Sequence, residues 1–467
     1  MRTKKVFLVL MALLLIIGLG ACNPAAPEAA PEEESAPVEE AAPVEKEEEA
    51  APTEEEEAPA EEMAEPVTFQ VFYPVAVDAP IAEILNGYIE DFQAEYPHIT
   101  VEPVFSGGYG DVQTAIQTTI DGGGTPPALA VMLATALYDL TNAGYITPLD
   151  DYVAGMEDGD AYIADFLPVF LDNSYAYDKL WSIPFQRSAT VMYYNMDMFA
   201  EAGLDAPSNW ESWATAAQTL TTQDGDATNW GLQYPSGWPY WLFQPLAIGA
   251  GQNILEDDCT VVFDDPAVID AVQFYIDLSA EYGAMPAGVQ GVWGTAPTDF
   301  SSGSTAMIVH SSGSLKGIIE QADFEVGLMG LPGKEDGSVS AVPGGGNFYI
   351  MSGAPQAEQD AAWLFIEFLT QPDYIADYSI NTGYIASSAS AYDTEAMQAH
   401  VAEVPQALSA RDALQHGGAE LATQNLGVVR GIFHDYLQRA YNGEMTAAEA
   451  MAEAQVEADA ALGDFCE

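Results

Sequence analysis

The alternation of strands and helices in residues 67–133 constrains the fold more than any other feature of this sequence. Residues 67–73 have a β-type pattern, and the apolar residues of 81–96 then recur mostly at helical steps of three and four. Residues 99–105 predict a second strand, and a further helix leads to an apolar strand at 128–133. Strands and helices that alternate over such short distances predict an α/β domain with a mainly parallel sheet.

The N-terminus predicts export rather than a structural helix. Three basic residues precede an apolar run over residues 6–19, and the small pair at 20–21 is followed directly by Cys22. This order is typical of a secretory signal, and the Cys after the small pair resembles the bacterial lipobox. We therefore predict a lipoprotein signal peptide at 1–21 and a lipid on Cys22. The alternatives are an ordinary signal peptide or a single membrane anchor.

Residues 22–66 predict a disordered acidic tether. After Cys22 and Asn23 the segment is almost entirely Ala, Pro and Glu, with Lys46 as its single basic residue. Such a composition buries too little apolar surface to offset the entropy of ordering, and its like charges repel. The tether would hold a globular body, residues 67–467, away from the membrane to which the lipid anchors the protein.

The net charge of -61 excludes several classes of partner. Nucleic acids and anionic membrane surfaces are bound by basic patches, so we expect neither as a partner and expect membrane contact through the lipid alone. The body has seven basic residues, which are Lys179, Arg187, Lys316, Lys334, Arg411, Arg430 and Arg439.

The cysteine spacing gives no sign of a zinc site, and the sequence predicts neither a metal nor a cofactor. Cys259 and Cys466 are the cysteines of the body, in an exported chain where disulfides persist. They either form a disulfide or remain free thiols, and the sequence leaves both alternatives open.

Four runs of residues carry a resemblance to a known family. They are 191–199, 202–204, 210–213 and 300–307, and the last of them includes a loop followed by a strand. The chain resembles the family 1 extracellular solute-binding proteins, the substrate receptors of ABC importers. This resemblance implies an α/β, two-lobed periplasmic-binding-protein-like fold (type II), with hinge-connected lobes and mixed, mainly parallel sheets. It places lobe I at about 67–178 and 304–374, and lobe II at about 179–303 and 375–467.

Five shorter motifs resemble the glycerol-3-phosphate branch of that family and suggest a ligand site. They are 107–109, 184–188, 236–238 with Trp241, 311–315 and 382–384. Trp238 and Trp241 would supply flat rings for the C–H face of a sugar, and Arg187 would bind hydroxyls or a phosphate. A carboxylate that is usual in this branch is replaced by the run 133–135, which weakens the case for phosphate. The candidate ligand-binding residues are Tyr109, Arg187, Ser188, Trp238, Trp241, Ser312, Ser314, Gly345, Asn347, Tyr384 and Arg430.

The resemblance implies a function without covalent chemistry. We expect a monomeric, membrane-anchored, extracytoplasmic substrate-binding component of an ABC importer, which captures a carbohydrate or a glycerol-3-phosphate-like solute by hinge closure. Its partners would be permease subunits with a cytoplasmic ATPase. We expect no enzymatic activity. The alternatives are a solute sensor subunit and a lipid-anchored glycosidase.

Overall fold

The structure is a computed structural model that describes residues 65–224, 227–257 and 260–463. The predicted signal peptide, Cys22, the tether up to residue 64, Cys259 and Cys466 lie outside the described residues, so these expectations stay predictions. Within the described ranges, no helix is long and apolar enough to cross a bilayer.

Strands occur along most of the described chain and alternate with helices. They are β1 (Val67–Tyr73), β2 (Ile99–Phe105), β3 (Leu129–Leu133), β4 (Tyr175–Ala176), β5 (Lys179–Leu180), β6 (Ile183–Asn195), β7 (Thr222–Asp224), β8 (Ala227–Asn229), β9 (Leu232–Gln233), β10 (Leu255–Asp257), β11 (Thr260–Val261), β12 (Met307–Ser311), β13 (Val326–Met329), β14 (Leu331–Pro332), β15 (Val339–Ser340) and β16 (Pro343–Ile350).

Helices cover the strands and form the C-terminal part of the chain. They are α1 (Ile81–Glu95), α2 (Tyr109–Asp121), α3 (Leu137–Asn142), α4 (Asp150–Gly155), α5 (Gly159–Asp165), α6 (Pro168–Leu171), α7 (Met196–Ala202), α8 (Trp210–Leu220), α9 (Pro239–Ala250), α10 (Pro266–Ala280), α11 (Ala296–Ser301), α12 (Leu315–Gln321), α13 (Gln356–Leu369), α14 (Pro372–Thr382), α15 (Glu395–Glu403), α16 (Gln406–Ala413), α17 (Leu426–Tyr441) and α18 (Ala447–Leu462). Short 3-10 helices lie at Ala134–Ala136, Ser312–Ser314, Ser390–Asp393 and Leu414–His416.

The longer strands form one mixed sheet in the order β2-β1-β3-β16-β6-β12-β9, and β13 also pairs with β6. β1 runs parallel to β2 and β3, and β12 runs parallel to β9. β16 is antiparallel to β3 and β6, and β6 is antiparallel to β12 and β13. The α/β class and the mixed sheet predicted from the sequence are confirmed.

β6 connects the two parts of the sheet. Its residues 183–189 pair with β16, and its residues 190–194 pair with β12. A strand of 13 residues is long enough to belong to both parts. The two parts of the fold are therefore joined by continuous backbone through the middle of the molecule.

Local sequence explains where the helices form. On α1 the buried residues recur at three- and four-residue steps, as the sequence predicts, and they pack on the sheet. The Asn209 side chain accepts a hydrogen bond from the Ser212 N–H at 2.8 Å and begins α8. Asp265 accepts from the Ala267 N–H at 2.8 Å and begins α10.

Two large hydrophobic cores lie on the two parts of the sheet. One contains Phe69 and Phe92 with the helices around β1, and the other contains Trp213 and Phe433 with α8, α9, α10, α17 and α18. A third core, which includes Tyr193, packs on the opposite face of β6 and β12.

The cores do not follow the predicted segment boundaries of the lobes. Ile375 and Tyr378, which the prediction assigned to lobe II, pack in the core of Phe69. Met307, which it assigned to lobe I, packs in the core of Trp213. The chain crosses between the two parts of the fold through strands that both parts share. A division of the sequence into four segments therefore does not separate the two cores cleanly. The boundaries themselves stay a prediction.

Candidate ligand-binding site

A narrow cavity of about 40 Å³ lies where β6, β16 and the start of α9 meet. This volume has room for about three water molecules, so little free space remains in the cavity in this structure. Segments from both parts of the fold line it. The lining residues are Ala76, Val77, Tyr109, Leu133, Ser188, Trp238, Tyr240, Trp241, Trp293, Ser311, Gly345, Tyr384 and Glu420.

Aromatic rings at the start of α9 form one wall of the cavity. α9 begins at Pro239, because proline is favoured at the first position of a helix. Trp238 directly precedes this helix, and Tyr240 and Trp241 lie in its first turn. The Trp241 indole N–H donates to the Pro343 carbonyl at 2.9 Å. This bond fixes the ring against β16 and leaves a rigid apolar surface toward the cavity.

Glycines of β16 allow rings from both sides to approach the strand. A Cβ at Gly344 would lie 2.5 Å from the Trp241 ring, and a Cβ at Gly346 would lie 2.6 Å from the Tyr109 ring. The lack of side chains at these glycines therefore makes room for the two aromatic walls.

Trp293 is held between the two parts of the fold. Its ring stacks on His310 with ring centroids 3.9 Å apart, and its carbonyl is 3.0 Å from His310 Nε2. Its indole N–H donates to the Ala76 carbonyl, after β1, at 3.4 Å. Burial lowers the pKa of His310 to about 4, so this imidazole is neutral near pH 7.

Tyrosines form the opposite wall. The Tyr109 hydroxyl donates to Gln186 at 3.2 Å, and Gln186 donates to the Tyr378 hydroxyl at 2.8 Å. The Tyr384 ring stacks on Tyr378, with centroids 5.8 Å apart. Burial raises the pKa of Tyr109 well above its usual value, so its hydroxyl remains a neutral donor and acceptor.

Glu420 is the carboxyl of the cavity wall. Its side chain is 2% exposed, and the Tyr240 hydroxyl donates to Oε1 at 3.4 Å. Its other oxygen, Oε2, is buried without a hydrogen-bond partner among the described residues. Burial raises the pKa of Glu420 to about 8, although the positive charges of Arg187 and Arg430 lower it.

The comparison with known families decides the identity of the fold. The sequence model described as "Bacterial extracellular solute-binding protein" matches residues 78–376, which is well over half of the chain. The chain belongs to this family. This membership confirms the resemblance that the motifs of residues 191–213 and 300–307 suggested.

Curated relatives of this solute-binding protein share one name. The sn-glycerol-3-phosphate-binding periplasmic protein UgpB of Pectobacterium atrosepticum is 25% identical over 413 residues, covering 84% of this chain and 90% of that protein. The protein of the same name from Escherichia coli (strain K12) is 25% identical over 398 residues, covering 80% of this chain and 88% of that protein.

Solved structures share the fold of this solute-binding protein. UgpB from Mycobacterium tuberculosis, in complex with glycerophosphocholine, has a TM-score of 0.75 at 22% identity, covering 86% of this chain and 99% of that chain. The GacH receptor of Streptomyces glaucescens has a TM-score of 0.74 at 20% identity, with 85% and 98% covered. The predicted two-lobed fold is confirmed.

Six of the predicted ligand-binding residues line the cavity of this solute-binding protein. Five are in or beside regular elements: Tyr109 begins α2, Ser188 lies in β6, Gly345 lies in β16, and Trp238 and Trp241 are at the start of α9. The sixth, Tyr384, follows α14. Their contact with a ligand stays a prediction.

Arg187 and Asn347 lie behind the cavity wall rather than in it. Neighbouring residues of a strand face opposite sides, so Arg187 turns away from the side on which Ser188 lines the cavity. Arg187 is fully buried, donates to Asn347 Oδ1 at 3.2 Å, and lies 5.0 Å from the centre of the Phe170 ring. The Asn347 amide donates in turn to Ser182 at 2.9 Å.

Ser312, Ser314 and Arg430 also lie outside the lining. Ser312 Oγ accepts from the Ala189 N–H at 3.0 Å, and Ser314 Oγ is 3.0 Å from His310 Nδ1. Both hydroxyls therefore support the wall from behind. Arg430 on α17 is half-buried and lies close enough to Glu420 to lower its pKa.

Four polar or aromatic residues of the wall were not among the predicted ligand-binding residues: Tyr240, Trp293, Ser311 and Glu420. Tyr240 lies between the two predicted tryptophans. Trp293 had a signal, because it lies in a loop between Gly291 and Gly294. Ser311 lies in a run that the analysis had noted, one residue before Ser312. Glu420 had no local signal. Among the described residues, no group of three or more His, Cys, Asp or Glu side chains could hold a metal ion.

Proposed function

We propose that this chain is the substrate-binding component of an ABC importer that captures a carbohydrate or a glycerol-3-phosphate-like solute and delivers it to permease subunits with a cytoplasmic ATPase. The observation that carries the proposal is the narrow cavity that residues from both parts of the fold line. Family membership and the names of the curated relatives support it.

Hinge closure explains how such a cavity would capture a solute. Tyr109 and Tyr384 come from the part of the fold that contains β1, whereas Trp238 and Trp241 come from the part that contains α9. A solute that contacts both walls would stabilise the closed state alone. Since the cavity has room for about three water molecules, a solute would enter when the lobes open.

The same proposal includes the location and the absence of catalysis. The chain would be exported, anchored by a lipid on Cys22 and monomeric, as the sequence predicts. A glycosidase usually places two carboxyl groups around the scissile bond, and Glu420 is the one carboxyl in the cavity lining of the described residues. This supports a binding protein rather than a lipid-anchored glycosidase.

Thermal-shift and calorimetric titration of the chain with sugars, polyols and glycerol phosphates would test the proposal. A true ligand raises the unfolding temperature in proportion to the logarithm of its concentration above Kd. Saturable 1:1 binding without change of the solute is the expected result. Release of product from a glycan, or no shift with any of these solutes, would contradict it.

A further inference from the structure

The segment that carries Glu420 is fixed to the helix that carries the aromatic wall. The Gln244 side chain of α9 accepts from the Leu421 N–H at 3.0 Å and donates to the Ala419 carbonyl at 3.1 Å. Asn253 donates to the same carbonyl at 2.9 Å. The backbone on both sides of Glu420 is therefore held in place before any solute enters, as a preorganised site requires.

Glu420 brings an unused acceptor into the cavity. The side chain lines the cavity and is 2% exposed, yet Oε2 has no hydrogen-bond partner within the described residues. Buried polar atoms in native proteins usually have such a partner. A buried, unpartnered acceptor on a residue that lines a cavity indicates a position where a ligand donor would supply the missing hydrogen bond.

The rest of the lining contains no basic side chain. Six aromatic residues, two serines, one glycine and three aliphatic residues surround Glu420, and none of the thirteen is Lys, Arg or His. Arg187 lies behind the wall, where its guanidinium donates to Asn347 and Asn173. Phosphate sites usually contain charged or backbone donors aimed at the anion, and this lining instead presents a carboxyl.

We propose that Glu420 is a specificity-determining residue, whose carboxyl accepts a hydrogen bond from a hydroxyl of an uncharged carbohydrate or polyol and disfavours phosphorylated solutes. This inference rests on the proposed function and deepens it by choosing between its two solute classes. Tyr240 is the positioning residue, because its hydroxyl contacts Oε1 at 3.4 Å and leaves Oε2 without a partner among the described residues.

When Glu420 is ionised, its negative charge adds to the discrimination against phosphorylated solutes. Burial raises the pKa of Glu420 to about 8, so the carboxyl is largely ionised at pH 9. The charged and polar groups that act on it are Arg187, Tyr240 and Arg430, and each of them lowers its pKa against the effect of burial. An ionised Glu420 would repel a phosphate in the cavity while still accepting from a hydroxyl.

Isothermal titration of the full chain at pH 9 tests the proposal. The probes are glycerol, a panel of neutral mono- and disaccharides, sn-glycerol 3-phosphate and choline. Wild type should bind a neutral probe more tightly than the phosphate. Glu420→Ala should weaken binding of the neutral probe at least tenfold. Glu420→Gln should weaken it less, but it should reduce the difference in Kd between the neutral probe and sn-glycerol 3-phosphate.

Glu457→Gln is the matched control. Glu457 accepts from the Tyr436 hydroxyl at 2.8 Å on the surface, away from the cavity, so its removal should leave every Kd unchanged. Unfolding temperatures of all variants would verify that they fold, and Glu420→Gln keeps the shape of the side chain if Glu420→Ala does not fold.

The outcomes separate this inference from the proposed function. Tightest binding of sn-glycerol 3-phosphate, unchanged in the Glu420 variants, would overturn the role of Glu420 and leave a receptor of the same class. Preferred binding of choline would overturn the choice of an uncharged solute. No binding of any probe would count against the proposed function as well.

Discussion

Arg187 and Glu420 are two buried ionisable side chains near the centre of this protein, and they differ in what surrounds them. Two of the three guanidinium nitrogens of Arg187 donate to Asn347 and Asn173, and its third, Nε, has no partner among the described residues. Glu420 lines the cavity and has one long contact, at 3.4 Å to Tyr240, while its other oxygen has no partner in the part of the chain that the structure describes. Arg187 therefore belongs mainly to the framework, whereas Glu420 belongs to a site that a ligand completes.

The largest expected effect concerns the pH dependence of folding at Glu420. Burial raises the pKa of Glu420 from its ordinary value of 4.5 to about 8, so the folded state holds a proton that the unfolded state releases. Its stabilising contribution is present below pH 4.5 and is lost as pH rises to about 8. The complete loss amounts to about 5 kcal/mol.

Glu420→Gln cannot titrate, so it should match wild type at pH 4.5 and exceed it increasingly up to pH 8.5. Urea unfolding of the ligand-free protein at several pH values measures the difference between the two. Glu457→Gln, on the surface, should follow wild type throughout. Stability curves of Glu420→Gln and wild type that stay parallel would show that Glu420 is not held in a buried, unpartnered state.

Arg187→Ala should reduce stability by about 3–5 kcal/mol. The change leaves Asn347 and Asn173 without their donor and opens a cavity beside Phe170. Urea unfolding at pH 7 without ligand measures it. Arg439→Ala is the control, because Arg439 is half-exposed with a 3.9 Å ion pair and should cost less than about 1 kcal/mol. A stable Arg187→Ala that loses only solute binding would place the arginine in the site instead.

The contrast between these two residues also explains what the sequence could predict. Arg187 was conspicuous because the body contains few basic residues. The small number of basic residues, however, does not predict whether the Arg187 side chain faces the cavity or the opposite side of β6. The alternation of β6 already implies that Arg187 and Ser188 face opposite ways. Trp238 and Trp241 could be identified because the motif and the helix start are local.

Glu420 could not be found by the same reasoning. The chain has 72 Asp and Glu residues, and nothing near residue 420 distinguishes one of them as buried. Its burial comes from the contact of its segment with Gln244, which lies 177 residues away in the sequence. The α/β class follows from patterns within short segments, whereas the boundaries of the cores depend on strands that both parts of the fold share.

Trp238→Ala should affect binding more than folding. Trp238 is half-buried at the start of α9 and lines the cavity, so its ring would lose contact with a solute while the core changes little. We expect a loss of about 2 kcal/mol in binding, or roughly 30-fold in Kd. Calorimetric titration with the best neutral solute measures it. Trp210→Ala, which removes the stacked contact to Phe274 at 4.4 Å, should instead lower stability and leave Kd unchanged.

The smallest expected effect tests whether the position of Glu420 depends on contact between the two parts of the fold. Asp139 of α3 accepts from the Asn425 N–H at 2.8 Å, at the start of α17 and close in sequence to Glu420. Asp139→Ala should remove about 1 kcal/mol from this contact, and thus weaken solute binding about fivefold in a titration.

Asp265→Ala is the matched control, since the Asp265 side chain caps α10 through a hydrogen bond to a residue only two positions away in the sequence. It should lower stability by about 1 kcal/mol and leave Kd unchanged. Equal Kd values in both variants would mean that the hydrogen bonds of Gln244 and Asn253 hold Glu420 in place without Asp139.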